Sequence, residues 1–318
     1  MISFLIRRFL QSIIVLFIVT IIVFLAMRML PGDPIRMIVT ASNTESFTEE
    51  QIAEVRHQYG LDRSLIIQYF DWLNDLLHGN LGESILQKVS VSDEVLRRIP
   101  ITFHIGTLAF GVGIILGIPL GIIAAVRRGS WLDTLVTTLS NLGITVPAFW
   151  LGFLLIYVFA MHFKWLPVMG YTSPFTNFWL NARELIMPVF CLALFPIAST
   201  ARQTRSSMLE VMRQDYIRTA WSKGLKEQAI ITKHALKNGL IPIVTLAGLG
   251  VPMIVGGTVL IETVFNIPGM GRLVVTSVLN QDYPYVQGIV LIISAAVVFI
   301  NFAVEMTYGW LDPRIRYD

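Results

Sequence analysis

The sequence contains few charged residues and almost no cysteine. Only 14% of its 318 residues are Asp, Glu, Lys or Arg, whereas 54% are hydrophobic, and the mean hydropathy is +0.67. This balance excludes an ordinary water-soluble domain and is typical of a chain that crosses a membrane several times. The single cysteine, Cys191, excludes an intrachain disulfide and a cysteine-rich metal site. Because it lies inside an apolar run, we expect a small buried side chain.

Six apolar runs are long enough to cross a membrane. At about 1.5 Å per residue, about 20 residues span the hydrocarbon core of a bilayer, so the sequence predicts an all-α protein with six transmembrane helices. The runs cover residues 9–30, 99–126, 134–163, 185–201, 240–261 and 286–306. A cleaved signal peptide is the alternative for the first run, but no A-x-A cleavage site follows it. Arg28 ends this run, and we expect its side chain to reach the lipid head groups.

The distribution of Lys and Arg predicts the orientation. If residue 1 is cytoplasmic, most Lys and Arg residues fall in cytoplasmic segments, and most of the others lie in a segment long enough to escape the positive-inside rule. Both termini are therefore expected in the cytoplasm. The long segment, residues 31–98, is expected to be extracytoplasmic, with short helices over 49–59 and 64–77.

A strongly basic segment, residues 206–239, lies between the fourth and fifth runs. Ser207 and Glu210 match a capping box, and the apolar residues that follow recur at helical spacing. The pattern predicts an amphipathic helix that begins at Ser207 and ends at a left-handed Gly224, then a second helix over 226–237 that Asn238-Gly239 ends. Such a segment could lie on anionic lipid or contact another protein.

Glycine is frequent in the second run, at residues 111, 113, 117 and 121. Small residues let helix backbones approach closely, so these glycines predict either tight packing or helices that slide and bend. Few polar residues could line a path through the membrane, namely Asn141, Thr145, Ser199, Thr200 and Thr245. Hydrogen bonding between helices is the alternative role for them. Such a neutral path suits peptides better than a bare metal ion, which needs fixed ligands.

Motifs of common enzymes and of ion-coupled carriers are absent from the sequence. It contains no HExxH, no GxSxG and no Gly-Lys dipeptide, so a Walker A loop for ATP phosphates is excluded. The middles of the third, fourth and fifth runs contain no ionisable residue, although a proton- or sodium-driven carrier usually needs one there. We therefore expect a non-catalytic chain without metal or cofactor, whose energy source is another subunit.

Several motifs resemble those of a known family. The basic segment is similar to the EAA loop of importers of the ATP-binding cassette class, in which a short coupling helix docks on the ATPase. It departs from the general pattern at Arg218, where the pattern has Glu, at His234, where it has Ile, and at Lys237, where it has Pro. The resemblance is instead to the dipeptide, oligopeptide and nickel permease branch. It covers the whole chain through IRRFL, LPGDP, LGES, TRSSMLEV, DYIRTAWSKGL, HALKNGLIP, VFNIPGMGRL, QDYPYVQG and DPRIRYD.

The resemblance implies one transmembrane permease domain, residues 1–318, in a prokaryotic inner or plasma membrane. It implies a second related permease, two ATPase subunits that bind ATP and Mg²⁺, and an extracytoplasmic solute-binding protein as partners, and no nucleic acid. The residues implied to couple to the ATPase are Asp215, Tyr216, Ile217, Arg218, Thr219, Ala220, Trp221, Gly224 and Leu225. Di- or oligopeptides are the expected cargo. A nickel chelate or glutathione as cargo, or a stand-alone channel or carrier, remain alternatives.

Overall fold

The computed structural model describes residues 2–29, 49–240, 242–243, 248 and 250–311, and the regular structure in these ranges is helical apart from one isolated bridge between Glu83 and Ser90. The all-α prediction is therefore confirmed. The helices are α1 (Ile2–Met29), α2 (Glu49–Gln58), α3 (Leu65–Leu77), α4 (Val91–Val126), α5 (Trp131–Thr145), α6 (Ala148–Leu155, continued as a π-helix over Ile156–His162), α7 (Phe178–Val211), α8 (Asp215–Ser222), α9 (Glu227–Ala229, π-helical Ile230–Ala235 and Leu236–Gly239), α10 (Met253–Gly256), α11 (Val259–Val264), α12 (Met270–Leu279) and α13 (Tyr283–Leu311).

Four helices, α1, α4, α7 and α13, are long and apolar enough to cross a membrane by themselves. Helices α5 and α6 form a fifth candidate, but they are bent by 102° at their junction. The predicted span over 134–163 is therefore two helices with a break, and its crossing of the membrane as one span stays a prediction. Pro147 has no N–H to donate, and Val146 before it is extended, with ψ at 124°. Part of the fifth run, 240–261, lies outside the described residues, and six spans stay a prediction.

The described residues form two compact units, one within Met1–Thr102 and Pro268–Phe302, the other within Phe103–Ile267 and Ala303–Ile315. In the first unit, the turn before α4 is fastened to the start of α13. The Ser84 hydroxyl and the Ile85 N–H donate to the carboxylate of the buried Asp282, at 2.5 and 3.2 Å. Burial raises the pKa of Asp282, while these hydrogen bonds act to lower it.

Arg28, also in the first unit, has partners within the chain. Its guanidinium carbon lies 4.2 Å from the ring centroid of Phe24 and 4.9 Å from that of Tyr283. Its Nη2 donates to Oε1 of Gln68 at 3.1 Å. Helices α1, α3 and α13, which are distant in sequence, thus supply aromatic and amide partners to Arg28, and its contact with lipid head groups stays a prediction.

In the second unit, α4 and α7 lie in close contact along a glycine stripe. A Cβ atom on Gly113, Gly117 or Gly121 would lie 2.4 to 2.7 Å from the nearest atom of α7. Real Cβ contacts are essentially never shorter than 3.0 Å, so the two helices can approach this closely only where these residues are glycine. The predicted close approach of helix backbones is confirmed for these positions.

Candidate coupling segment and membrane cavity

The first half of the basic segment differs from its prediction. Helix α7 continues through Ser207 and Glu210, so these residues form no capping box. Ser207 is buried, and its hydroxyl donates to the carbonyl oxygen of Gly239 at 2.7 Å. This contact satisfies the hydroxyl, which is therefore not engaged in capping a helix. A short turn then separates α7 from α8, for which Gln214 occupies the N-cap position.

The second half of the basic segment agrees with the prediction. Gly224 follows α8 with φ at +74°, in the left-handed region, and its N–H donates to the carbonyl of Trp221 at 2.9 Å. Helix α9 ends at Gly239, as the predicted break at Asn238-Gly239 requires. The Asn238 side chain donates to the Tyr216 hydroxyl at 2.9 Å and so links α9 to α8.

Helix α8 has one face buried within this chain. Ile217 and Ala220 lie in an apolar cluster with residues of α4, α7 and α9, namely Ala125, Met208, Ile230 and Ala235. The side chains of Ile217 and Ala220 are thus buried within this chain, and the coupling role of the segment stays a prediction. Removing apolar surface from water stabilises such packing by about 25 cal/mol per Å², and this holds α8 against the three helices.

The other face of α8 is exposed, and it carries most of the predicted coupling residues. They are Asp215, Tyr216, Arg218, Thr219, Trp221, Gly224 and Leu225. Arg218 Nη1 contacts Asp215 Oδ1 only at 3.4 Å, and both side chains are largely exposed, so this pair adds little stability. The surface therefore combines two aromatic side chains and a leucine with charged groups free to meet a partner, a composition that suits a protein interface.

An ion pair fastens α5 to α7 next to the basic segment. Arg205 Nε and Nη2 donate to the two carboxylate oxygens of Asp133 at 2.6 and 2.9 Å. Asp133, which is buried, also accepts from the Gly129 N–H at 3.0 Å. Two parallel charge-assisted bonds are the strong form of such a contact. Sequence reasoning missed the pair because its members are 72 residues apart.

We expect Asp133→Ala to lower the free energy of unfolding by about 2 kcal/mol, because Arg205 loses its partner while its side chain is only 30% exposed. The melting temperature of the purified protein measures the effect. A thiol-reactive dye suits the assay, since the single cysteine, Cys191, is buried and reacts only as the chain unfolds. Asp215→Ala, which removes an exposed carboxylate, is the control. Equal melting temperatures for both variants would show that the pair contributes nothing.

A cavity of about 430 Å³ lies in the second unit, between α4, α7 and residues 250–258. Its wall is largely apolar, and its polar residues are Ser199, Thr200, Arg202, Gln203 and Thr258. The side chains of Ser199 and Thr200, both on α7, thus line the same cavity. A cavity of this size is typical of sites for small ligands.

Two other predicted path residues lie away from this cavity. Asn141 and Thr145 are exposed on α5, where the Thr145 hydroxyl donates to the carbonyl of Asn141 at 2.7 Å. Thr245 lies outside the described residues. Sequence reasoning missed Arg202, because it was grouped with the charges of the cytoplasmic segment. Its spacing of three residues from Ser199, which places both on one helix face, was the signal that could have found it.

Comparisons with known proteins agree on one family. Residues 117–317 match the family described as binding-protein-dependent transport system inner membrane component, and residues 1–106 match its N-terminal companion. A putative peptide transport system permease protein of Brucella abortus (strain 2308) is 42% identical over 321 residues, 100% of each chain. The di/tripeptide transport system permease protein DppB of Pseudomonas aeruginosa (strain UCBPP-PA14) is 38% identical over 337 residues, 100% of this chain and 99% of that protein.

A solved structure supports the fold. The inward-facing MetNI methionine ABC transporter aligns with a TM-score of 0.53 and 17% identity, over 69% of this chain and 96% of that one. The apolar helices of this chain agree with a multi-pass protein of the inner membrane. With family matches over both parts of the chain and high identity over its full length, the chain belongs to the family of inner-membrane permease components of binding-protein-dependent transport systems.

Proposed function

We propose that this chain is one of two permease subunits of an ATP-driven importer whose cargo is short peptides. The observation that carries the proposal is the identity of 42% and 38%, over the full chain, to permeases named for peptide and di/tripeptide transport. ATP and Mg²⁺ would be bound by two separate ATPase subunits, because this sequence has no Walker A loop. A second related permease and an extracytoplasmic solute-binding protein would complete the assembly.

The membrane arrangement we propose has six spans, both termini in the cytoplasm and residues 31–98 outside. Four single helices and the bent pair α5–α6 support five of the spans. The distribution of Lys and Arg supports the orientation and places the basic segment on the side of the ATPases. Residues 1–318 would then act as one permease domain.

The exposed face of α8, with Gly224 and Leu225, is the proposed contact with an ATPase subunit. Tyr216, Trp221 and Leu225 would enter an apolar groove on the ATPase, while Arg218 would bind at its polar rim. Ile217 and Ala220 would position this face from behind, since they are buried against α4, α7 and α9. Movement of the ATPases would reach the membrane helices through this contact.

The cavity beside α7 is the proposed part of the cargo path. Ser199 and Thr200 offer hydroxyl groups, and Arg202 adds a positive charge that suits the C-terminal carboxylate of a peptide. Among the described residues that line the cavity, none is acidic. Asn141, Thr145 and Thr245 stay candidates for other parts of the path.

Reconstitution tests the function. Proteoliposomes that hold the two permeases and two ATPases, supplied with ATP and the solute-binding protein, are expected to accumulate a labelled dipeptide. Liposomes with this chain alone are expected to accumulate none. Uptake by the chain alone would support a stand-alone carrier instead. ATP-dependent uptake of a nickel chelate or glutathione without any uptake of peptides would support an ATP-driven importer but contradict peptides as its cargo.

A further inference from the structure

Helix α3 contacts the end of α1 through aromatic side chains. The ring of Tyr69 lies 5.3 Å from that of Phe24, and the ring of Trp72 lies 6.1 Å from it. The Tyr69 hydroxyl also lies 2.9 Å from the hydroxyl of Thr20. Both helices belong to the same compact unit. Helix α3 is therefore held beside the last turns of α1.

A second apolar face of α3 has no partner among the described residues. Ile66, Phe70 and Leu77 are 70%, 61% and 77% exposed. Their spacing of four and seven residues places them in one stripe along the helix. The opposite side of α3 carries Asp71 and Asp75, both exposed. Helix α3 is thus amphipathic, and its exposed apolar stripe lies next to the face that contacts α1.

The contacts with α1 fix the depth of α3 in the membrane. The apolar span of α1 ends at Met29, and only 17% of its most apolar window is buried within the protein. Phe24 is five residues from that end, which at about 1.5 Å per residue places it about 7 Å inside the span. Helices that lie in a membrane interface bury their apolar face about 5–10 Å into the boundary of head groups and acyl chains. The contacts of α3 with α1, from Thr20 to Arg28, lie between about 14 and 2 Å from that end, a range centred on the depth of an interfacial helix.

We propose that α3 lies in the membrane interface at the Met29 end of α1, with Ile66, Phe70 and Leu77 among the acyl chains of that leaflet. On the sides of α1 that α3 does not contact, Ile22 and Leu25 are 58% and 44% exposed. Lipid that surrounds this end of α1 is therefore within reach of α3. Because the carboxylates of α3 lie on its far side, they remain in water when the stripe is immersed. The partner of this surface is the lipid bilayer.

Spin labels on two sides of α3 test the proposal in the assembled complex in lipid nanodiscs. In a Cys191→Ala background, which removes the single cysteine, a nitroxide is attached at Ile66→Cys or at Asp75→Cys. Nine residues separate these positions, which places them on opposite sides of the helix. We expect the ratio of collision rates with oxygen, which concentrates in lipid, and with a water-soluble nickel chelate to be about tenfold higher at residue 66 than at residue 75.

Two results would overturn the proposal. Equal ratios at residues 66 and 75 would place the stripe in water. A label at residue 66 that is shielded from both oxygen and the nickel chelate would show that another protein covers the stripe. Leu77→Cys repeats the measurement at the other end of the stripe, in case the first variant does not assemble, and the same high ratio is expected there.

Discussion

Gly224→Val is expected to lower peptide uptake by the assembled importer about tenfold. Gly224 has φ at +74°, and no atom outside its immediate neighbours lies within 4 Å of where a Cβ would stand. The substitution therefore acts through backbone conformation, because a residue with a Cβ costs about 1–2 kcal/mol in the left-handed region. Each 1.4 kcal/mol lowers the fraction of molecules that hold this turn about tenfold. A β-branched residue is the least suited to this region. Uptake and ATPase activity stimulated by the solute-binding protein, measured in proteoliposomes, would both fall.

Two variants serve as controls for Gly224→Val. Gly79 has φ at +79° and an equally open surrounding, but it lies in the other compact unit. Gly79→Val should therefore introduce similar backbone strain and leave coupling intact. Gly224→Asn should retain most activity, because asparagine tolerates the left-handed region. Full uptake and full stimulation in Gly224→Val would contradict the proposed role of the turn.

Gly121→Leu is expected to have the largest effect on stability, a loss of about 3 kcal/mol or more from overpacking. A Cβ on Gly121 would lie 2.5 Å from the carbonyl oxygen of Ala201 and from Cβ of Thr204. A backbone carbonyl cannot rotate away as a flexible side chain can, so α4 and α7 would have to separate. The exposure of Cys191 to a thiol-reactive dye on heating measures the fall in melting temperature.

Gly111→Leu is the matched control on the same helix. No atom of another element lies within 4 Å of a Cβ at Gly111. The substitution adds the same side chain and improves helix propensity, so the melting temperature should stay the same or rise slightly. If Gly111→Leu and Gly121→Leu melted at the same temperature, close packing of α4 on α7 would not limit stability.

Features set by neighbouring residues could be predicted from the sequence. The expected helices 49–59 and 64–77 are found at Glu49–Gln58 and Leu65–Leu77, because amphipathic spacing and turn residues act locally. The left-handed Gly224 is another local feature. The bend between α5 and α6 was missed, because the apolar run continues across Pro147 although helical backbone hydrogen bonding is interrupted there.

Features set by distant residues could not be predicted. Ser207, expected to cap a helix, is instead buried inside α7 and bonded to Gly239, 32 residues later. Arg205, which looks like one more cytoplasmic cation in the sequence, is paired with Asp133 on another helix. Ser199 and Thr200 could be chosen as candidates for the cargo path from their polarity alone. Arg202 could be recognised as a candidate only once the position of the cavity was known. The burial of Ile217 likewise requires the tertiary packing around α8.

The bond from Ser207 to Gly239 makes the basic segment a closed loop. The chain leaves α7 soon after Ser207, forms α8 and α9, and returns to Ser207 at the end of α9. A displacement of α8 therefore reaches α7 by two routes, along the chain and across this bond. A rotation of α8 about the turn that precedes it would therefore have to break this bond or the packing of Ile217 and Ala220. A force on α8 would accordingly be passed to α7.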